Sequence, residues 1–169
     1  MSKKIIALVE EGYEDLELLY PVIRLREEGY QVDIAGTEEG KLYTGKHGYP
    51  VKSDVSFKKI SPENYDALVV PGGWAPDKLR RYKEVTDIIL SMNKRNKPVA
   101  TICHAGWVLV TADALKGRTV TSVPVIRPEL EFAGAKWIDK SVVVDGNYVS
   151  SRTPADLPDY MKELIRILK

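Results

Sequence analysis

Short apolar runs alternate with amphipathic stretches along most of the chain. Lys4-Ile5-Ile6-Ala7-Leu8-Val9 is continuous and rich in β-branched residues, the pattern of a strand buried on both faces. Leu16, Leu19, Tyr20 and Ile23 follow at i, i+3, i+4 and i+7, one apolar stripe of a helix that ends near Gly29. Pro21 inside that stripe predicts a new turn or a kink. Residues 31–35 read as the next strand. Residues 36–59, rich in Gly, Tyr, Thr and Lys, read as an excursion with short antiparallel strands around 41–44 and 51–55. Ala67-Leu68-Val69-Val70 is another buried strand, stopped by Pro71-Gly72-Gly73; Val85, Ile88, Ile89 and Met92 mark one face of the helix beyond it. Residues 98–102 form a strand that runs straight into Cys103-His104-Ala105-Gly106, with a helix over 106–115. Val142-Val143-Val144 and Tyr148-Val149-Ser150 flank Asp145-Gly146-Asn147, a strong hairpin signal. Met161, Leu164, Ile165 and Leu168 give a final amphipathic helix.

Strands alternating with helices predict a flavodoxin-like α/β sandwich of three layers around a mostly parallel sheet. With 169 residues, no repeat and no linker, the expectation is a single domain over 1–169. Sites in that architecture lie at the carboxyl ends of the strands. Three such ends carry unusual residues: 10–14, 71–73 and 103–104.

Composition narrows the function classes. The chain is 44% hydrophobic and 29% charged, ordinary globular material, and its net charge of +1 gives no reason to expect nucleic acid or a membrane surface as partner. Met1-Ser2-Lys3-Lys4 before an apolar run resembles a signal peptide, but the run is too short and Glu10-Glu11 stops it. With no apolar stretch of membrane-spanning length, the expectation is a cytoplasmic protein. A single Cys excludes a disulfide framework and multi-Cys zinc sites; two widely separated His add no case for a metal. The glycine fingerprints of dinucleotide and nucleotide loops are missing, so no cofactor is expected.

The chemistry gathers at the strand ends. A strand, one nucleophile, small residues and then a helix is the layout of a nucleophile elbow, here with Cys103. A tight turn pushes the side chain out of the sheet, and the helix that follows offers free N–H groups and a positive dipole end, both favouring thiolate. The competing reading is a buried Cys acting as a small hydrophobe. His104 is a candidate acid or base beside it, or a structural His. His47 lies in the excursion, away from the three strand ends, and is read as structural. Gly72 and Gly73 let backbone N–H groups approach a ligand, and the Gly73 and His104 N–H groups make a candidate oxyanion hole. Trp74, directly after Gly73, is a candidate pocket wall. Glu14 opens a helix after the first strand; it either answers the helix dipole or sets a carboxyl beside the Cys103 sulfur.

At these residues the sequence resembles the PfpI-type intracellular cysteine peptidases, within the superfamily of the parkinsonism-associated protein deglycase. The shared motifs are Glu14-Asp15-Leu16-Glu17, Thr44-Gly45-Lys46-His47-Gly48, residues 67–73, Ala100-Thr101-Ile102-Cys103-His104 and Ser150-Ser151-Arg152-Thr153-Pro154-Ala155-Asp156, in the family's order and over essentially the whole chain. The resemblance implies a nucleophilic Cys103, a His104 partner, a Glu14 whose carboxyl contacts the sulfur, and an oxyanion hole from the Gly73 and His104 backbones. It also implies a homo-oligomer, dimeric or hexameric, in which Asp77 of a neighbouring subunit orients the His. Where relatives carry a Tyr after the elbow helix, this chain has Ser122-Val123-Pro124. Glutamine amidotransferases use a similar elbow with a His near the carboxyl end; no His follows His104 here, which argues against that class.

Two functions follow as expectations. The first is a cysteine hydrolase in which Cys103 attacks a peptide amide or a small dicarbonyl or glycated substrate. The second is a non-enzymatic stress protein, redox-sensing or chaperone-like, in which Cys103 is oxidised beside a carboxyl group and a helix N-terminus.

Overall fold

The computed structural model describes residues 2–169. In chain order the elements are β1 (Lys4–Leu8), α1 (Asp15–Glu27), β2 (Gln31–Gly36), β3 (Leu42–Thr44), β4 (Pro50–Lys52), β5 (Val55–Ser56), β6 (Ala67–Val70), α2 (Ala75–Leu79), α3 (Lys83–Lys94), β7 (Val99–Ile102), α4 (Gly106–Thr111), β8 (Thr119–Val120), α5 (Arg127–Phe132), β9 (Lys136–Trp137), β10 (Val142–Asp145), β11 (Tyr148–Ser151) and α6 (Leu157–Leu168). Seven strands form the central sheet in the order β10-β11-β7-β6-β1-β2-β5. All neighbours are parallel except β10 with β11, the hairpin read from Asp145-Gly146-Asn147. On one side α1 packs against α6, and on the other α4 meets α2, α3 and α5. The result is the flavodoxin-like α/β sandwich expected from the alternation. No helix of the described residues is long and apolar enough to cross a membrane.

The continuous apolar strands are continuous because both faces are covered: β6 and β7 are buried at every position. At roughly 25 cal/mol per Å² of apolar surface, such fully covered strands supply the largest share of the driving force. The α3 face read from Val85, Ile88, Ile89 and Met92 is buried as expected, and so is the α6 face of Met161, Leu164, Ile165 and Leu168.

Four details differ from the sequence reading. In α1 it is Leu18, Val22 and Leu25 that enter the core, while Leu16 and Ile23 are each 55% exposed. The helix is apolar on two faces, and the sheet takes the other one. Pro21 does not interrupt it; α1 runs through 13 residues, with the Glu17 carbonyl forgoing its ordinary N–H partner. The excursion holds one antiparallel pair, β3 with β4, whereas β5 joins the main sheet parallel to β2. Finally, the helix expected over 106–115 stops at Thr111, because Asp113 takes a left-handed φ of 51° and turns the chain.

Candidate active site

β7 ends in extended backbone at Ile102, and Cys103 then adopts φ +60°, a region that L side chains avoid. A short 3-10 turn over Cys103–Ala105 leads into α4. This is the elbow read from the sequence. Small residues behind it are a packing requirement: a Cβ on Gly106 would stand only 3.1 Å from Leu130, so glycine lets α5 close on the turn. The strain at Cys103, on the order of 1–3 kcal/mol, is held by the parallel pairing of β7 on both sides.

Facing the sulfur is the loop after β6. Gly73 has φ +76°, bridges to Tyr13, and its N–H, with that of His104, is directed at Cys103. A Cβ on Gly72 would lie 2.6 Å from the Cys103 Cβ and would collide with the Glu17 carboxylate. The two glycines thus let β6, β7 and α1 converge on one sulfur. Gly72 lies behind the sulfur, while Gly73 and Trp74 line the pocket itself.

The acid beside that sulfur is Glu17, which corrects the role expected of Glu14. Glu17 is 0% exposed; one carboxyl oxygen accepts the Gly72 N–H at 2.9 Å, the other has no hydrogen-bond partner, and the carboxyl is near enough to Cys103 that each shifts the other's titration. Glu14 instead occupies the N-cap of α1 and accepts the Glu17 N–H at 2.9 Å. That single cap turns Glu14 along the helix axis and leaves Glu17, one turn on, aimed at the elbow. An acid three residues after a helix-capping acid, on a face that proves buried, was the available signal.

Burial first, then the Glu14 charge, pushes Glu17 up to about 8, against pulls from the Gly72 N–H, Cys103 and Lys46. Burial first, then the Glu17 charge, pushes the Cys103 thiol up to about 12, while the Gly73 and His104 N–H groups favour its thiolate. These two groups form one coupled pair: protonating Glu17 removes the charge that opposes the thiolate. At neutral pH the pocket therefore keeps a proton on Glu17, available to the sulfur. His104 Nδ1 lies 3.3 Å from the sulfur. Burial and then Lys46 lower the His104 pKa, so the ring is neutral at pH 7; it sits between Trp107 and Trp74, with centroids 4.9 and 6.2 Å away.

His47 joins the same pocket, contrary to the expectation that it lies apart. The β3–β4 turn folds back onto α1 because the buried Asp15 carboxylate accepts the His47 and Tyr49 N–H groups at 2.8 and 2.9 Å. Gly45 makes room, since a Cβ there would meet that carboxylate at 2.5 Å. The turn carries Lys46 over the Trp74 ring at 5.5 Å and sets His47 Nε2 3.6 Å from a Glu14 oxygen. The pocket, about 220 Å³, is lined by these groups with Glu17, Cys103, His104 and Pro154. Asp77 is not in it; within the chain that half-exposed carboxylate, on α2, pairs with Arg81 just beyond the end of the helix. Among the described residues no cluster of three His, Cys, Asp or Glu stands ready for a metal. Two larger hollows open along α1, one toward α6 and one on its outer face, but neither contains a nucleophile.

Residues 3–167 match the DJ-1/PfpI family. Among curated relatives, the deglycase PH1704 of Pyrococcus horikoshii is 49% identical over 166 residues, covering 98% of this chain and 99% of that protein. The deglycase PfpI of Pyrococcus furiosus is likewise 49% identical over 166 residues, with the same coverage of both chains. The crystal structure of Drosophila melanogaster DJ-1beta superposes with a TM-score of 0.91 at 27% identity, covering 97% of this chain and 89% of that one.

Proposed function

This chain belongs to the DJ-1/PfpI family, and from that premise we propose that it is a cysteine hydrolase whose nucleophile is Cys103 and whose substrates are small dicarbonyl or glycated compounds. The observation that carries this reading is the sulfur held at φ +60° between two backbone N–H groups, with a proton-bearing Glu17 on one side and His104 Nδ1 at 3.3 Å on the other. In the dicarbonyl reaction Cys103 adds to an aldehyde carbon, and the Gly73 and His104 N–H groups stabilise the oxygen as it gains charge. The thiol proton settles on that oxygen. Glu17 then gives its own proton to the neighbouring carbonyl oxygen as it takes the one on the attacked carbon, and returns that proton to the neighbouring carbon as it recovers one from the hydroxyl, leaving an acyl group on sulfur. Water releases the acid. In the peptidase version the same sulfur attacks an amide and His104 protonates the leaving amine. A pocket of about 220 Å³, walled by Trp74 and Lys46, suits a small aldehyde better than an extended peptide.

The test is a side-by-side assay of methylglyoxal, a glycated peptide and the same unmodified peptide with one preparation. Turnover of the first two supports the reading. Turnover of the unmodified peptide alone moves the protein to the peptidase branch. No turnover at all, with peroxide adding oxygen only at Cys103, replaces the hydrolase by the redox sensor. A lone reactive thiol suits a reducing compartment, which is the argument for the cytoplasm.

The working unit in this reading is a homo-oligomer. The outer face of α1 exposes Leu16 and Ile23, flanked by Tyr49 and Pro50 around a hollow of about 700 Å³, a surface fit for a second copy. His104 has no carboxylate partner of its own, and Asp77 of a neighbouring subunit is the acid that completes it. Asp77→Ala is expected to lower activity about 10-fold or more. Mixing Asp77→Ala with Cys103→Ala protein should restore part of it, because one mixed site regains both groups. No recovery after the subunits have exchanged would leave Asp77 outside the site.

A further inference from the structure

We propose that His47, oriented by Glu14, is the base that activates the water which releases the product from Cys103. The inference rests on the hydrolase reading in one respect: every acylating substrate, amide or dicarbonyl, leaves a thioester on this sulfur that water must open.

The groups around the pocket exclude one another as that base. Glu17 lines the pocket but is 0% exposed, holds one oxygen on the Gly72 N–H and keeps its proton at neutral pH, so it is no base for an incoming water. His104 holds its Nδ1 toward the sulfur at 3.3 Å, on the side of the leaving group. Lys46 offers an ammonium without a lone pair. Glu14 is 7% exposed and has one oxygen committed to the α1 cap. His47 alone combines access with a free nitrogen: its side chain is 64% exposed and lines the pocket that contains Cys103.

The arrangement is that of a base with its orienting acid. Nε2 of His47 faces Glu14 Oε1 at 3.6 Å, the other Glu14 oxygen is fixed by the Glu17 N–H, and the His47 main chain is tied to Asp15. A proton on Nε2 toward Glu14 leaves the Nδ1 lone pair for water. In the step itself, the water oxygen forms a bond to the acyl carbon as one proton passes to Nδ1. The carbon–sulfur bond then breaks, the electron pair leaves on sulfur, and the sulfur takes up that proton. The carboxylic acid and the free thiol are restored, with no net change in electrons.

The experiment acetylates the protein with p-nitrophenyl acetate, removes the excess, and follows loss of the acetyl mass from Cys103, the chain's only thiol. Sensitivity to neutral hydroxylamine marks the adduct as a thioester. In His47→Gln the acetyl group is expected to persist about 10²-fold longer than in wild type, while the rate of acetylation changes little. Added imidazole should shorten its lifetime in His47→Ala and not in wild type. Equal lifetimes in wild type and His47→Gln overturn the proposal, as does slower acetylation with unchanged deacetylation, which would assign His47 to the attack. Methylglyoxal turnover by the same wild-type protein is read separately. A His47-dependent deacetylation without that turnover keeps this inference and removes the dicarbonyl reading.

Discussion

Cys103→Ala is expected to abolish methylglyoxal and amide turnover, a fall of about 10⁴-fold or more, while circular dichroism and the unfolding midpoint stay close to those of wild type. Both halves of that expectation come from the elbow. The sulfur is the atom that the elbow sets between the two backbone N–H groups, so no neighbour can take over its attack from that position. The backbone at φ +60°, by contrast, is set by the strand pairing of β7 and by Gly106 packing under Leu130, neither of which involves sulfur. Alanine inherits the strain and the fold. Cys103→Gly separates the two effects: it should be equally inactive yet more stable by about 1 kcal/mol, since glycine visits the left-handed region freely. Turnover surviving in pure Cys103→Ala protein would remove the sulfur from the chemistry.

Glu17→Gln is expected to lower kcat by about 10²- to 10⁴-fold with little change in KM. Glutamine keeps the shape of the side chain and can still accept the Gly72 N–H, but it cannot pass a proton to or from the reacting carbons. The same substitution has a signed effect on stability. Burial raises Glu17 from its ordinary 4.5 to about 8, so between those values the folded chain holds a proton that the unfolded chain has lost. Stability therefore falls as pH rises through that window, by an amount on the order of a few kcal/mol. Glutamine has no such proton to lose. Urea unfolding at pH 5 and pH 8 should show the variant gaining on wild type at the higher pH; the Cys103 shift, which acts above the ordinary thiol range, does not enter this interval. A variant whose midpoint tracks wild type at both values would place the carboxylate in contact with water.

The strands, the hairpin and the elbow were legible because each is written in consecutive residues: apolar runs, Asp145-Gly146-Asn147, and a Cys between a strand and small residues. What escaped depended on which face or which turn met a distant element. Leu16, Leu19, Tyr20 and Ile23 have helical spacing, but so do Leu18, Val22 and Leu25, and periodicity alone cannot say which set faces the sheet. The same ambiguity exchanged Glu14 and Glu17, since naming the acid that points inward requires knowing the buried face. His47 is brought to the pocket by Asp15, 32 positions away, and nothing local to the Gly45-Lys46-His47 turn announces that contact. Asp77 stands on α2, apart from its own chain's pocket.

Anchoring a whole pocket wall through a few hydrogen bonds to one loop and the start of one helix has a cost in robustness. The turn that carries Lys46 and His47 belongs to a two-stranded ribbon outside the main sheet, clamped by Asp15 and the Tyr13 carbonyl. Such a flap can lift away by local opening while the seven-stranded body stays intact. Heating should therefore extinguish the chemistry ahead of global melting, and a bound ligand that bridges flap and elbow would delay that loss.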